Sequence, residues 1–132
     1  MQDVIKSLHF LVVEDAASMR QVITAQLKAM GAERITGATQ GQDALNILNK
    51  QKVDVVLTDL HMPVMSGLEL LRAIRASEQF KHLPVLMITS ENERGELQSI
   101  AQSGVTEILI KPYNASMLEL KLISTLRKGK MK

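Results

Sequence analysis

The stretch that most constrains this chain is Val53-Asp54-Val55-Val56-Leu57-Thr58-Asp59-Leu60-His61-Met62-Pro63. Val55, Val56 and Leu57 are apolar without alternation, which marks a strand covered on both faces. A carboxylate in the body of such a strand would be costly, so Asp59 belongs at its carboxyl end, where a sheet opens to water. The Met62-Pro63 turn then closes the run. In open parallel α/β sheets that edge is where ligands bind.

Four more short runs read as strands. Leu8 to Val13 ends in Glu14-Asp15, Arg34 to Ala38 is brief, Pro84 to Thr89 is apolar to its last residue, and Glu107 to Ile110 runs into Lys111-Pro112. Helical spacing fills the gaps. Ser18 reads as the N-cap of a helix carrying Met19, Val22, Ile23, Leu27 and Met30 inward, with Gly31 as its stop. Gln42 to Lys50 turns Ala44, Leu45 and Leu48 inward, and Gly67 to Ala76 does the same with Leu68, Leu71 and Ile74. Glu91 to Gln102 is helical too, though Gly95 inside it costs about 1 kcal/mol. Asn114 caps a last helix whose Met117, Leu118, Leu120 and Leu122 point partly inward and partly along a groove. Met1 to Ser7 is a short lead-in. Five strands alternating with five helices require a parallel sheet covered on both faces through right-handed crossovers. The expected fold is an α/β three-layer sandwich of the flavodoxin-like type, strand order 2-1-3-4-5.

A chain of 132 residues supports one domain, with a core over about residues 8 to 126. No apolar run approaches the roughly 20 residues of a membrane span, and no signal-peptide pattern opens the sequence. Cysteine is absent, which removes disulfides, thiol nucleophiles and thiolate metal sites. A cytoplasmic protein without membrane contact is the expectation. The net charge is only +2, and part of that excess sits in the tail at Arg127, Lys128, Lys130 and Lys132. With Phe10, Phe80 and Tyr113 as the only aromatics, no basic stacking face for nucleic acid can be assembled. Most of the eight methionines fall at core positions, whereas Met19 lies beside the polar edge of the sheet.

That edge gathers chemistry. Parallel strands bring Glu14-Asp15, Asp59, Thr89-Ser90 and Lys111 to one side, and strand order 2-1-3-4-5 sets Asp15 and Asp59 together at the switch point. Each carboxylate there makes its neighbours harder to ionise, and a divalent cation relieves the repulsion. Oxygen donors without His or Cys suit a hard cation, and few carboxylates with several waters suit Mg²⁺. Lys111 adds a fixed positive charge and Thr89 a hydroxyl. Such a pocket is arranged to hold a phosphoryl group that a carboxylate attacks. Singly, each residue has a plain structural use as a helix or turn cap, a strand end or a surface lysine. Jointly, their order along four strands favours the chemical reading.

The stretches Val12-Val13-Glu14-Asp15-Ala16-Ala17-Ser18-Met19-Arg20, Thr58 to Leu71, Leu83 to Ser90 and Ile110-Lys111-Pro112-Tyr113 resemble those of response-regulator receiver domains. The likeness runs over about Leu8 to Leu126 and is greatest to the single-domain chemotaxis type. It implies that Asp59 accepts the phosphoryl group. Glu14, Asp15, Asp59 and the backbone carbonyl of His61 would hold Mg²⁺. Thr89 would bond the phosphoryl group and move as a switch, while Lys111 would pair with a phosphoryl oxygen, positioned by a Lys111-Pro112 bond that is commonly cis. Gly67 would permit the turn into the third helix. The resemblance further implies a donor that is a histidine kinase or phosphotransfer protein. It implies no enzymatic activity beyond self-catalysed phosphorylation and dephosphorylation.

Two features depart from the family's pattern. Ile108 stands three residues before Lys111, where receivers often carry an aromatic, so output is expected through the fourth strand's loop and the fourth helix. His61 and Glu91 flank the phosphoryl position. A protonated His61 pairing with Glu91 would slow hydrolysis, against the plainer reading of His61 as a solvated loop residue. The chain ends about where a receiver ends, so a monomer without attached output domain is expected, with a dimer on activation open. It would act by binding a target protein, a flagellar motor switch among the candidates, or would shuttle phosphate. Other classes fit less well. A flavodoxin would need a Ser/Thr/Gly phosphate loop where Glu14-Asp15 stands. An aspartyl-phosphate phosphatase would carry a second acid where His61 stands. A phosphorylation-dead module would lack acceptor residues that are all present here.

Overall fold

The computed structural model describes residues 2–90 and 94–130. Its elements are α1 (Gln2–Ser7), β1 (His9–Val13), α2 (Ala17–Ala29), β2 (Arg34–Ala38), α3 (Gly41–Lys50), β3 (Val55–Asp59), α4 (Gly67–Ala76), β4 (Val85–Ser90), α5 (Arg94–Gln102), β5 (Glu107–Lys111) and α6 (Ala115–Lys130). The strands form one parallel sheet, as the alternation of runs requires, in the expected order β2-β1-β3-β4-β5. Six helices, one more than expected, lie among the described residues. The extra one is α1, whose Ile5 is 1% exposed. Six residues are too few to display a helical period, so only its burial against the sheet reveals it.

Alternate residues along the strands feed two cores. Leu11, Val13, Val56, Val85 and Met87 face Ala44 and Leu48 of α3, Leu70, Leu71 and Ile74 of α4, and Ile100 of α5. Phe10, Val12, Val55, Leu57, Leu86, Ile88 and Leu109 face Ile5, Ile23 and Leu27 on one side and Leu118, Leu122 and Leu126 of α6 on the other. Val55, Val56 and Leu57 are at most 1% exposed. Burying each stabilises the fold by about 1.5–3 kcal/mol, which pins β3 at the centre and Asp59 at its open end.

Local chemistry sets the helix starts. The Ser66 hydroxyl accepts from the Glu69 N–H and the Glu69 carboxylate accepts from the Ser66 N–H, a reciprocal cap that fixes where α4 begins. The Asn114 side chain accepts from the Met117 N–H and caps α6 as expected. Ser18 does not cap α2. The N-cap is Ala16, whose N–H donates to the Glu14 carboxylate at 3.1 Å, so the helix starts two residues early because the end of β1 dictates it. Val22 is 48% exposed and not part of the core. It lines a groove of about 560 Å³ with Met19, Gln26, Pro112 and Tyr113, between α2 and the turn before α6. Leu120 is likewise 69% exposed. Gly95 is the second residue of the described α5, and a β-carbon there would meet nothing within 4 Å.

Candidate functional site

The parallel register brings Val13 opposite Thr58 and Asp59 opposite Ile88, so Glu14 emerges level with Asp59. Thr89 pairs with Ile110 and Ser90 with Lys111, which sets the hydroxyl strand end beside the lysine strand end. Carboxylate oxygens of Glu14, Asp15 and Asp59 lie within 4.8 Å of one another. Glu14 is buried, Asp59 half-buried and Asp15 exposed. Lys111 Nζ donates to Asp59 Oδ1 at 2.9 Å, and both side chains are largely withdrawn from solvent. Thr89 is 1% exposed, at the end of β4.

The electrostatics follow from this packing. Burial pushes the Glu14 carboxyl above its ordinary value. The Ala16 N–H pulls it back, while the Asp15 side chain and the Asp59 charge push it further up. Burial alone would lower Lys111, but its hydrogen bond to Asp59 and the charges of Asp59 and Glu14 raise it instead. Three acids therefore share one ammonium, and the cluster stays short of positive charge. An all-oxygen donor set of this kind fits a hard divalent cation.

His61 is exposed on the loop after β3, and its Nε2 lies 3.5 Å from Glu96 Oε2 in the first turn of α5. The expected partner Glu91 lies outside the described residues. Gly67 is needed for close approach and not for a turn conformation. Its φ is not in the left-handed region, but a β-carbon there would run into the carbonyl oxygen of Asp59. The Lys111–Pro112 bond is cis. Ile108 is half-buried and packs on the same core as Leu97 and Val105, and its side chain carries no polar atom.

This chain matches the family model described as "Response regulator receiver domain" over residues 10–123. It belongs to that family. The receiver is 42% identical over 117 residues to the chemotaxis protein CheY-3 of Vibrio cholerae, covering 89% of this chain and 90% of the relative. It is 40% identical over 115 residues to the chemotaxis protein CheY of Pseudomonas aeruginosa, covering 87% and 93%. Among solved structures, the chemotaxis response regulator CheY4 of Vibrio cholerae superposes with a TM-score of 0.82 at 34% identity, covering 90% of this chain and 98% of that one.

Sequence reading found the acids, the threonine and the lysine of the receiver because each ends a strand. Three polar contacts around them were not legible. Thr58 donates from its hydroxyl to the Asp59 carbonyl at 2.9 Å. Arg20 donates to the Glu14 carbonyl at 2.7 Å. Glu96 faces His61. Each is a polar residue on an element whose period is set by its apolar neighbours, so the pattern carries no trace of these contacts.

Proposed function

We propose that this receiver accepts a phosphoryl group on Asp59 from a phosphohistidine donor, in a Mg²⁺-dependent reaction, and signals by binding another protein. The observation that carries the reading is the 2.9 Å contact between Lys111 Nζ and Asp59 Oδ1 beside the carboxylates of Glu14 and Asp15. Glu14, Asp15, Asp59 and the His61 carbonyl would hold Mg²⁺, which supplies positive charge against the phosphoryl oxygens. An oxygen of Asp59 attacks phosphorus; the new P–O bond forms as the P–N bond breaks, and its electron pair leaves with the donor imidazole. Lys111 passes from Asp59 to a phosphoryl oxygen, and the Thr89 hydroxyl donates to another. The chain catalyses only its own phosphorylation and dephosphorylation.

The donor in this reading is a sensor histidine kinase or phosphotransfer protein. Thr89 draws the end of β4 toward Asp59, and α5 follows. With aliphatic Ile108 in β5, this motion carries the output without a rotating aromatic. The target docks on the face made by α5, β5 and α6, where Leu97, Ala101, Ile108 and Lys121 line a shallow groove. The relatives named as chemotaxis proteins favour chemotaxis as the setting, with a flagellar motor switch as one candidate target. A phosphate shuttle or sink is the second reading, favoured by the same acceptor chemistry if no target binds.

The test is to incubate the protein with Mg²⁺ and acetyl phosphate, follow intact mass, and compare wild type with Asp59→Asn. Modification that needs both Mg²⁺ and Asp59 is expected. Its absence from wild type, with a kinase present or not, would overturn the reading. Capture of a partner by the phosphorylated form alone separates a signalling receiver from a sink.

A further inference from the structure

We propose that Arg20 is a positioning residue of the metal site, a clamp that holds the Glu14 peptide so that Glu14 and Asp15 stay aimed at Asp59. The inference rests on the reading of that acid cluster as a Mg²⁺ site.

Glu14 is fixed on three sides. Its N–H donates to the Ala38 carbonyl of β2 at 3.0 Å. Its carboxylate accepts from the Ala16 N–H at 3.1 Å. Its carbonyl accepts from Arg20 Nη1 at 2.7 Å. The Arg20 side chain reaches this carbonyl by lying across β2. A β-carbon on Gly37 would stand 3.1 Å from Arg20 Cδ and 3.4 Å from Nε, so the missing side chain at Gly37 is the path the arginine takes. Arg20 is itself held at the start of α2, its N–H donating to the Ala16 carbonyl at 2.9 Å.

The physical need for a clamp follows from charge. Glu14, Asp15 and Asp59 repel one another, and the cheapest relief for the apo protein is for the Glu14-Asp15 segment to swing away from β3. A charge-assisted bond from a guanidinium to the carbonyl between those two side chains opposes that swing. A site already gathered binds a divalent ion without the cost of collecting its ligands, and groups that orient ligands are worth roughly 10- to 100-fold in metal affinity.

Mg²⁺ alone is the probe, titrated by NMR with the amide signals of Glu14, Asp15 and Asp59 as readout. Urea unfolding without metal is measured alongside. Arg20→Met keeps the stem and removes the donor; Mg²⁺ affinity is expected to fall roughly 10- to 100-fold. Gly37→Ala keeps the positive charge and presses the arginine stem by a few tenths of an ångström, so any loss of Mg²⁺ affinity is expected to be smaller than in Arg20→Met. Arg20→Lys should restore affinity only in part, since a lysine lacks the guanidinium fork. Unchanged Mg²⁺ affinity in Arg20→Met, whatever its stability, overturns the inference and leaves the site reading intact. Wild-type Mg²⁺ affinity in Arg20→Lys also overturns it, because positive charge near the acids and not the guanidinium's hold on the Glu14 carbonyl would then be the cause. A wild-type protein that ignores Mg²⁺ removes the site reading and this inference with it.

Discussion

Gly67 and Asp59 are in contact through their backbones: the Asp59 carbonyl oxygen occupies the space that a side chain on residue 67 would take. The same β-carbon would stand 3.0 Å from Leu60 Cα and 3.0 Å from Met87 Sδ. The Gly67 N–H donates to the Leu60 carbonyl at 2.8 Å, so the first residue of α4 rests directly on the end of β3.

Gly67→Ala therefore cannot be absorbed by a rotamer change, because the obstructing atom belongs to the Asp59 main chain. A loss of about 1–3 kcal/mol in urea unfolding is expected, as for other overpacked sites. The diagnostic result lies elsewhere. Phosphorylation by acetyl phosphate should fall further than in Leu126→Ala, a cavity on α6 that costs stability but leaves Asp59 where it is. Equal rates in the two variants would mean that the reaction does not depend on where the Asp59 backbone sits.

Val64 poses the opposite case. It sits on the loop between β3 and α4 with φ 71° and an 88% exposed side chain, so a β-branched residue holds a left-handed conformation without any burial in return. That conformation costs an L-residue roughly 1–2 kcal/mol, and asparagine tolerates it better. Val64→Asn is expected to stabilise the protein by about 1 kcal/mol in urea unfolding, while Val64→Ile should not. A destabilised Val64→Asn would show that the valine makes a contact worth more than its strain.

These two residues show where sequence reading reaches its limit. The five strands follow from continuous apolar runs, because a strand buried on both faces has little freedom in composition; their order comes from the doubly wound fold type that such an alternation suggests. The acid, hydroxyl and lysine positions follow in turn, since polar groups can only stand where those runs end. The reciprocal cap of Ser66 and Glu69 has a Ser-x-x-Glu spacing that could have marked the start of α4 but was not used to place it. What could not be read is anything that depends on which distant backbone comes close. Ala16 starts α2 because Glu14 bonds it, and Gly67 is required because Asp59 passes beneath it. Glu96 faces His61 because α5 crosses the loop there. None of these leaves a mark on periodicity.

Arg75 is a further example, and a testable one. From α4 its guanidinium donates to the carbonyls of Gly104 at 2.7 Å and Leu83 at 2.7 Å, and to that of Lys81 and the Thr106 hydroxyl at 3.2 Å each. The Thr106 hydroxyl also accepts from the Val85 N–H at 3.0 Å, so one side chain ties α4 to the entrances of both β4 and β5. Burial lowers its pKa, yet an arginine remains charged. Arg75→Lys keeps the charge and loses the fork, stranding several carbonyls at once. A loss of about 2–4 kcal/mol is expected, nearly as large as for Arg75→Ala. Full stability in Arg75→Lys would show that charge and not geometry holds this junction.

Glu107 supplies the pH dependence. It lies on the edge strand β5 and accepts from the Ser124 hydroxyl at 2.7 Å, from Lys128 Nζ at 2.9 Å and from Lys121 Nζ at 3.3 Å, which fastens β5 to α6. Burial pushes its carboxyl up, but Ser124, Lys128, the Ile108 N–H and Lys121 together outweigh burial and hold it at about 2, against an ordinary 4.5. A carboxyl depressed in the folded state binds fewer protons there than in the unfolded chain. Its stabilisation is therefore complete above the ordinary value and is lost as pH falls from about 4.5 towards about 2. A displacement of that size corresponds at most to about 3 kcal/mol. Lys121 and Lys128 are 42% and 52% exposed, so screening reduces the expected contribution to about 1–2 kcal/mol. Glu107→Gln should cost that amount at pH 7, converge on wild type only as pH falls below about 2, and show a flatter stability profile between those limits. High salt should narrow the difference at pH 7, because the lysine contacts are screened and the Ser124 bond is not. Parallel profiles for wild type and Glu107→Gln through the acid range would mean that other carboxylates govern acid unfolding, and that β5 and α6 are held together by Leu109, Leu118 and Leu122 without help from this cluster.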